Sequence, residues 1–180
     1  GASSLPVLSY TANGFVNGDT ATGALATTAT RFNGTTGSAS SVGNYAITQG
    51  TLNAGSNYTL GYTTGTLAVT SATLVVTVST QSTVYGTAIA NLGSTAFTTT
   101  GLVNGDVVTA ATLKYAGSDS VAANVNAGTY AASIVASAAV GTNLSNYSLS
   151  YTGGNLVVTQ APVSIVAAAQ SMTYAANALP

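Results

Sequence analysis

The chain carries an internal repeat. The segment Val16–Asp19 (Val-Asn-Gly-Asp) returns as Val103–Asp106, about 87 residues later, and Asn57–Tyr58 returns as Asn146–Tyr147 at nearly the same step. A fixed step of this length is typical of tandem arrays, in which every repeat is one structural unit. The repeat therefore predicts small domains in series, each long enough to bury a core.

Alignment of the copies divides the chain into three parts. We expect residues 1–71 to be a repeat that lacks its first strand, residues 72–160 to be a complete repeat, and residues 161–180 to be the first strand of a further repeat. They are called the first repeat, the second repeat and the trailing segment, with short linkers at Ser71–Ala72 and Gln160–Ala161. A repeat without its first strand would expose an unpaired edge and an open core.

The composition is poor in charge. Charged residues make up 3 % of the chain, against about 25 % in an ordinary domain. The two cations are Arg31 and Lys114, and the three anions are Asp19, Asp106 and Asp119. Two cations form no basic stripe, so nucleic acid is not expected as a partner. The many Thr, Ser, Gly and Asn residues give a neutral, hydrated surface, which favours the cell exterior.

Several classes of function lack the residues they need. The chain has no His and no Cys, and its three acids are all Asp. General acid–base catalysis needs His, Glu or a tuned pair of Asp residues, so we do not expect an enzyme. Disulfides and thiolate metal sites are excluded because there is no Cys. No apolar run approaches about 18 residues, so membrane insertion is not expected.

The hydrophobic pattern predicts strands along the whole chain. Thr73–Val78 is rich in β-branched residues, Pro162–Val166 is its counterpart in the trailing segment, and Tyr147–Tyr151 alternates with a period of two. The only candidates for helix are short turns that Asp19 and Asp106 could cap.

Two hairpins are predicted near the repeat ends. Tyr147–Tyr151 and Leu156–Thr159 flank a Gly-Gly turn, and Tyr58–Tyr62 and Thr66–Thr70 flank Thr-Thr-Gly in the first repeat. The predicted fold class is all-β: tandem small β-sandwich (Ig-like) or β-grasp-like domains in an elongated array.

Tyrosine shows the strongest positional pattern, because eight tyrosines recur as pairs. Aromatic rings that return at fixed positions are expected to anchor a core, since each can bury roughly 150–250 Å². The alternative is stacking on sugar rings. The predicted core tyrosines are Tyr45, Tyr58, Tyr62, Tyr85, Tyr130, Tyr147, Tyr151 and Tyr174.

Asp19 and Asp106 are the weak candidates for a metal site, because they are the acids shared by both repeats. Calcium takes six to eight oxygen ligands, normally with several carboxylates. One Asp per repeat is too few, so an Asx-turn or capping role explains these residues more simply. No cofactor is expected, with calcium as the open alternative.

An ordered set of motifs resembles a known family. Val84–Gly86 is followed by Gly101–Asp106, Ala127–Tyr130, Asn146–Tyr151 and Gly153–Val158. This order is similar to the bacterial MBG domain of the YGX type. The resemblance implies large secreted or surface-anchored bacterial proteins, often haemagglutinin-like adhesins, whose repeats form stalks or matrix, and it implies no catalytic residues.

The expected function is a structural repeat segment of an extracellular adhesin stalk or fibre in cell adhesion or biofilm matrix. Its partners would be adjacent repeats or neighbouring copies. One alternative is a module that binds surface glycans or mucin. Another is a short subunit of a filament, in which the trailing segment completes the first repeat of a neighbour.

Overall fold

A computed structural model describes residues 5–29 and 40–174, and this part of the chain is all-β, as predicted. Among these residues the only helical element is a 3-10 turn, η1 (Leu144–Asn146). The strands are β1 (Ala26–Thr27), β2 (Gly43–Thr48), β3 (Gly65–Val69), β4 (Ala72–Val78), β5 (Gln81–Val84), β6 (Phe97–Thr100), β7 (Val108–Tyr115), β8 (Gly128–Gly141), β9 (Tyr147–Thr152) and β10 (Gly154–Thr159). No described helix is long and apolar enough to cross a membrane.

The second repeat holds two sheets that share one core. One has the strand order β6-β4-β9 and the other β5-β10-β8-β7. The opening strand of the repeat takes part in both, because β4 ends at Val78 and β5 begins at Gln81 in the other sheet. Two sheets around one core correspond to the predicted β-sandwich.

The opening strand pairs in parallel with the two closing strands. β4 lies beside β9, with Ala72 opposite Tyr147, and β5 lies beside β10, with Gln81 opposite Leu156. The hairpin predicted between β9 and β10 is therefore wrong. Only Gly153 separates these strands, which is too short for a two-residue hairpin turn, and each pairs with its own part of the opening strand.

The core of the second repeat is aliphatic. Every second residue of β4 is buried, and the same alternation in β8 and β10 points apolar side chains inward. Fully enclosed side chains belong to both sheets and to a connecting loop: Leu74, Val76, Leu113, Val121, Ile134 and Leu156.

The first repeat retains one of these two sheets. Its order is β1-β2-β3, and Tyr45 of β2 lies opposite Leu67 of β3, as Tyr130 of β8 lies opposite Leu156 of β10. Residues 58–62, which correspond to β9, form no strand, so the hairpin predicted here is also wrong. The reason is that β9 pairs with β4, and no described residue of the first repeat takes the place of β4.

The trailing segment is described from Ala161 to Tyr174. It forms no strand, and each of these residues is exposed, with Val163 at 83 % and Ile165 at 90 % of full exposure. The strand predicted over Pro162–Val166 is absent because the described chain offers it no partner strand. The division of the chain into residues 1–71, 72–160 and 161–180 remains a prediction.

The predicted helical caps are also wrong. Asp106 closes a turn, and β7 begins two residues later at Val108. Asp19 closes the equivalent turn, and residues 20–25 that follow it form no helix before β1 begins at Ala26. The β-branched Val107 and Val108 favour a strand over a short helix at this point.

Candidate functional site

The Asn-Gly-Asp motif forms the same tight turn in both repeats. The N–H of Asp19 donates to the carbonyl of Val16, and the N–H of Asp106 donates to the carbonyl of Val103, each at 3.0 Å. The central asparagine has a φ of 58° in one turn and 59° in the other, and the glycine has 79° and 75°. Positive φ at both central residues defines a type I′ turn, for which Asn-Gly is the preferred pair.

Each turn is held by a tyrosine further along the chain, 41 residues after Asp106 and 39 residues after Asp19. The Tyr147 hydroxyl donates to Oδ2 of Asp106 at 2.7 Å and accepts from the N–H of Val103 at 3.1 Å. In the first repeat the Tyr58 hydroxyl lies 2.7 Å from Oδ2 of Asp19 and accepts from the backbone in the same way, at 3.1 Å. Two motifs that look separate in the sequence are thus one site, the tyrosine–aspartate clasp.

The clasp of the second repeat is more enclosed. Tyr147 is 8 % exposed, and this burial raises the pKa of its phenol above the usual value, because the charged form would lose its hydration. Asp106 also accepts from Nδ2 of Asn143 at 2.7 Å and from Oγ1 of Thr142 at 3.2 Å. The site therefore joins the turn, the loop before η1 and the first residue of β9.

The clasp of the first repeat is half open. Tyr58 is half-buried and its ring meets Phe15 edge to face, with ring centres 4.9 Å apart. Among the described residues, Tyr58 is the one side chain that donates a hydrogen bond to the Asp19 carboxylate. The same two motifs thus make a weaker joint where the second sheet is not formed.

Both aspartates act as hydrogen-bond acceptors in this arrangement. The Asp106 carboxylate is surrounded by donors, namely a phenol, an amide and a hydroxyl. Within residues 5–29 and 40–174, no group of three or more His, Cys, Asp or Glu side chains lies together. A calcium ion needs six to eight oxygens, so this geometry is suited to holding a turn rather than to binding a metal.

The eight predicted core tyrosines occupy three environments. Tyr147 is buried, and Tyr45, Tyr58, Tyr62 and Tyr130 are half-buried, the first and last of these four on strands β2 and β8. The placement in the core is wrong for the remaining three, since Tyr85 is 46 %, Tyr151 is 38 % and Tyr174 is 100 % exposed. Aliphatic residues fill the centre instead, because they have no hydroxyl that needs a partner.

The tyrosine hydroxyls account for much of the recurrence. Tyr45 donates to the carbonyl of Ser41 at 2.7 Å, and its counterpart Tyr130 donates to that of Asn126 at 2.9 Å, in each case four residues back. Tyr62 donates to the carbonyl of Ile47 at 2.7 Å. A hydroxyl that ties a ring to the backbone explains why Tyr rather than Phe returns at these positions. The scarcity of Phe in the sequence was the available signal for this role.

The first repeat has a groove at the position that β4 occupies in the second repeat. It is a cavity of about 680 Å³ with a mixed lining: apolar and aromatic side chains such as Phe15, Ile47 and Leu52 alternate with polar residues such as Ser9, Thr11, Asn13 and Thr59, and Tyr10, Tyr58 and Tyr62 also line it. Tyr10 corresponds to Phe97 of β6, and residues 58–62 correspond to β9. In the second repeat β4 lies between β6 and β9. The groove therefore lies where β4 packs in the second repeat, a place that no described strand of the first repeat fills.

A family model described as MBG domain (YGX type) matches residues 2–68 and again residues 74–157. The chain belongs to the MBG domain family. Searches among curated proteins and among solved structures each returned no match. MBG repeat domains are structural modules, and the clasp described above is a structural feature that both MBG repeats share.

Proposed function

We propose that this chain is a load-bearing segment of an extracellular stalk or fibre on a bacterial cell surface, serving adhesion or biofilm matrix. The observation that carries the proposal is the parallel pairing of the first and last strands of the second repeat. Membership of the MBG family and a surface almost free of charge support it.

Parallel terminal strands resist extension in a particular way. The chain enters the repeat at the start of β4 and leaves it at the end of β10, and the β4–β5 stretch runs in the same direction as β9 and β10. Tension along the array pulls these strands past one another, so their hydrogen bonds share the load at once. An antiparallel hairpin pulled from its open end would instead lose its bonds one after another.

The clasp adds a second tie across the repeat. It connects the turn after β6 to the beginning of β9 through the Tyr147 hydroxyl. The linker between the repeats is also short, because β3 ends at Val69 and β4 begins at Ala72. A hydrogen bond joins the repeats, from the N–H of Val42 to Oδ1 of Asn146 at 2.9 Å. A short linker with a lateral bond favours transmission of force along the array.

Single-molecule pulling on the whole chain tests the mechanical part. We expect one high-force event from the second repeat, releasing roughly 300 Å of extended chain. The N–H of Tyr85 donates to Thr159 of β10, so by strand alternation the N–H of Thr83 faces β10 and that of Ser82 faces away. Thr83→Pro should therefore lower the unfolding force, and the matched variant Ser82→Pro should lower it much less.

Equal effects of the two proline variants would count against the shear arrangement, provided that thermal melting shows both to be folded. The location is tested separately, by antibody labelling of intact cells of the source bacterium before and after protease treatment. Surface labelling that the protease removes is expected. Labelling that needs lysed cells would refute an extracellular stalk while leaving the mechanical result untouched.

A further inference from the structure

We propose that the groove of the first repeat is a docking site for the trailing segment of a second copy of this chain, so that copies join head to tail. This inference is independent of the proposed function, since assembly of the purified chain can be measured whatever its location. It concerns Ala161–Tyr174 as the inserted strand and residues 58–69 as the receiving edge.

The trailing segment has the sequence of an opening strand. It matches residues 72–85, with Ala161, Gln170, Ser171 and Tyr174 identical to Ala72, Gln81, Ser82 and Tyr85. The positions that β4 buries at Leu74, Val76 and Val78 correspond to Val163, Ile165 and Ala167. Every side chain that would enter the groove is therefore apolar.

In the single chain the apolar side chains of the trailing segment are exposed to solvent. Val163, Ile165 and Val166 are 83–90 % exposed, although β-branched side chains are typical of buried strands. A run of this kind with unpaired backbone groups is a template for pairing with another strand. The groove offers space for such a strand: a cavity of about 680 Å³, lined by aromatic and aliphatic side chains together with polar ones, beside residues 58–62, which pair with no strand of the described residues.

The second repeat fixes the expected register. Ala72 lies opposite Tyr147 and Val76 lies opposite Tyr151, in parallel. The equivalent pairs place Ala161 opposite Tyr58 and Ile165 opposite Tyr62. Further along, Gln81 opposite Leu156 in β5 and β10 becomes Gln170 opposite Leu67 of β3. The inserted strand would thus complete both sheets of the first repeat, as β4 and β5 do in the second.

The repeat geometry argues against the chain's own trailing segment as the donor, so in a solution of this chain the donor is a second copy. β4 follows β3 after two residues and belongs to the next repeat along the chain, not to the one that precedes it. The trailing segment follows β10 after one residue in the same way, so its acceptor lies beyond the second repeat, whereas the chain's own groove lies before it. A head-to-tail contact between unlike surfaces does not close on itself and builds a filament or a large ring.

The oligomeric state of the full purified chain tests this inference. We expect sedimentation or light scattering to show species that grow with concentration above the 17.5 kDa single chain. Ile165→Asp places a charge in the groove and should raise the concentration needed for assembly by on the order of 100-fold. Ser164→Asp adds the same charge at the adjacent position, whose counterpart Val75 lies on the other face of β4, and should assemble nearly as the natural sequence does.

Cysteine pairs test the register, because the chain has no cysteine of its own. By equivalence with Val75 and Ser150, residue 164 lies opposite residue 61. Gly61→Cys with Ser164→Cys should give a ladder of disulfide-linked oligomers on a non-reducing gel, since opposite residues lie within disulfide reach. Thr63→Cys with Ser164→Cys is two positions out of register and should give little ladder.

Three results would overturn the proposal. They are a natural chain that stays a single chain at every concentration, an Ile165→Asp variant that assembles as well as Ser164→Asp, and equal ladders from the two cysteine pairs. Binding of oligosaccharides to the groove of a chain that does not assemble would assign the cavity to a glycan instead. Circular dichroism of each variant confirms that the second repeat, which contains none of these positions, remains folded.

Discussion

The two repeats share their motifs, their tight turn and their tyrosine–aspartate clasp, yet among the described residues only the second repeat forms both sheets. In the second repeat β4 is the central strand of the β6-β4-β9 sheet. In the first repeat the equivalents of β6 and β9 are present in sequence, but neither forms a strand, while the β1-β2-β3 sheet persists. One strand therefore decides whether a whole sheet exists, because its two neighbours can pair only through it.

The buried residues show the same contrast. Among the described residues of the first repeat, the buried apolar side chains are Ala29, Leu52 and Ala54. In the second repeat a continuous aliphatic cluster runs from Val78 to Ile134 and Val158. Loss of a central strand thus removes its own apolar side chains from the core and also exposes the apolar face of the opposite sheet to water.

The largest expected effect comes from truncating a side chain of β4. Leu74→Ala should lower the free energy of unfolding of the second repeat by about 2–5 kcal/mol, because Leu74 is 0 % exposed and the cavity cannot be refilled. Val163→Ala at the matching position of the trailing segment should change it by less than about 0.5 kcal/mol. Urea unfolding followed by tyrosine fluorescence measures both. A loss in the Val163 variant at a concentration where the chain is single would contradict the described exposure.

A matched pair of glycines comes next. Gly101 has a φ of 103°, and a Cβ added there would overlap the carbonyl oxygen of Thr73 in β4. Gly14 in the first repeat has a φ of 91°, but no heavy atom lies within 4 Å of its added Cβ. Gly101→Ala should cost about 2–4 kcal/mol, from strain and overlap together, and Gly14→Ala about 1 kcal/mol from strain alone.

Thermal melting of the two glycine variants makes this measurement, with the natural chain as reference. Equal losses would mean that β4 does not approach Gly101 as closely as the structure shows. If a strand fills the groove of the first repeat, the cost at Gly14 should increase under assembling conditions, because the added methyl would then meet the inserted strand.

Local features of this fold could be read from the sequence, and the pairing could not. The Asn-Gly dipeptide specifies its own turn through the positive φ of two residues, and the alternation of Tyr147–Tyr151 specifies a strand. The choice of partner is not local. β9 and β10 look like a hairpin because they are adjacent, but each pairs with a segment about 75 residues earlier in the chain.

The tyrosine–aspartate clasp could be predicted in part: its residues stood out in the sequence, but their contact did not. Asp106 and Tyr147 were each prominent because they recur, but recurrence alone did not show that they belong together. Their contact depends on the path of β7 and β8, which folds the turn back to the start of β9. Thr142 and Asn143 complete the site without an obvious sequence signal, because the first repeat has Asn53 and Ala54 near the equivalent positions.

The third comparison concerns the clasp hydroxyls. Tyr147→Phe should lower the free energy of unfolding by about 1–3 kcal/mol, since the N–H of Val103 and the Asp106 carboxylate lose a partner in an enclosed site. Tyr58→Phe should cost below about 1 kcal/mol, because water can replace its hydroxyl at the half-open clasp. Chemical unfolding of both variants decides this, and a larger loss at Tyr58 would show that the first repeat is more closed than the structure indicates.

The smallest expected effect is the response of the enclosed clasp to alkaline pH. Burial raises the pKa of Tyr147 in the folded chain above the value near 10 of an unfolded tyrosine. The folded state then holds its proton more tightly, so this stabilisation is present below about pH 10 and is lost as the pH rises through the folded pKa. Melting temperatures measured from pH 8 to pH 11 should fall less steeply for Tyr147→Phe than for the natural chain, because Phe has no proton to lose. A decline that is just as steep in Tyr147→Phe would show that the alkaline loss of stability does not come from Tyr147.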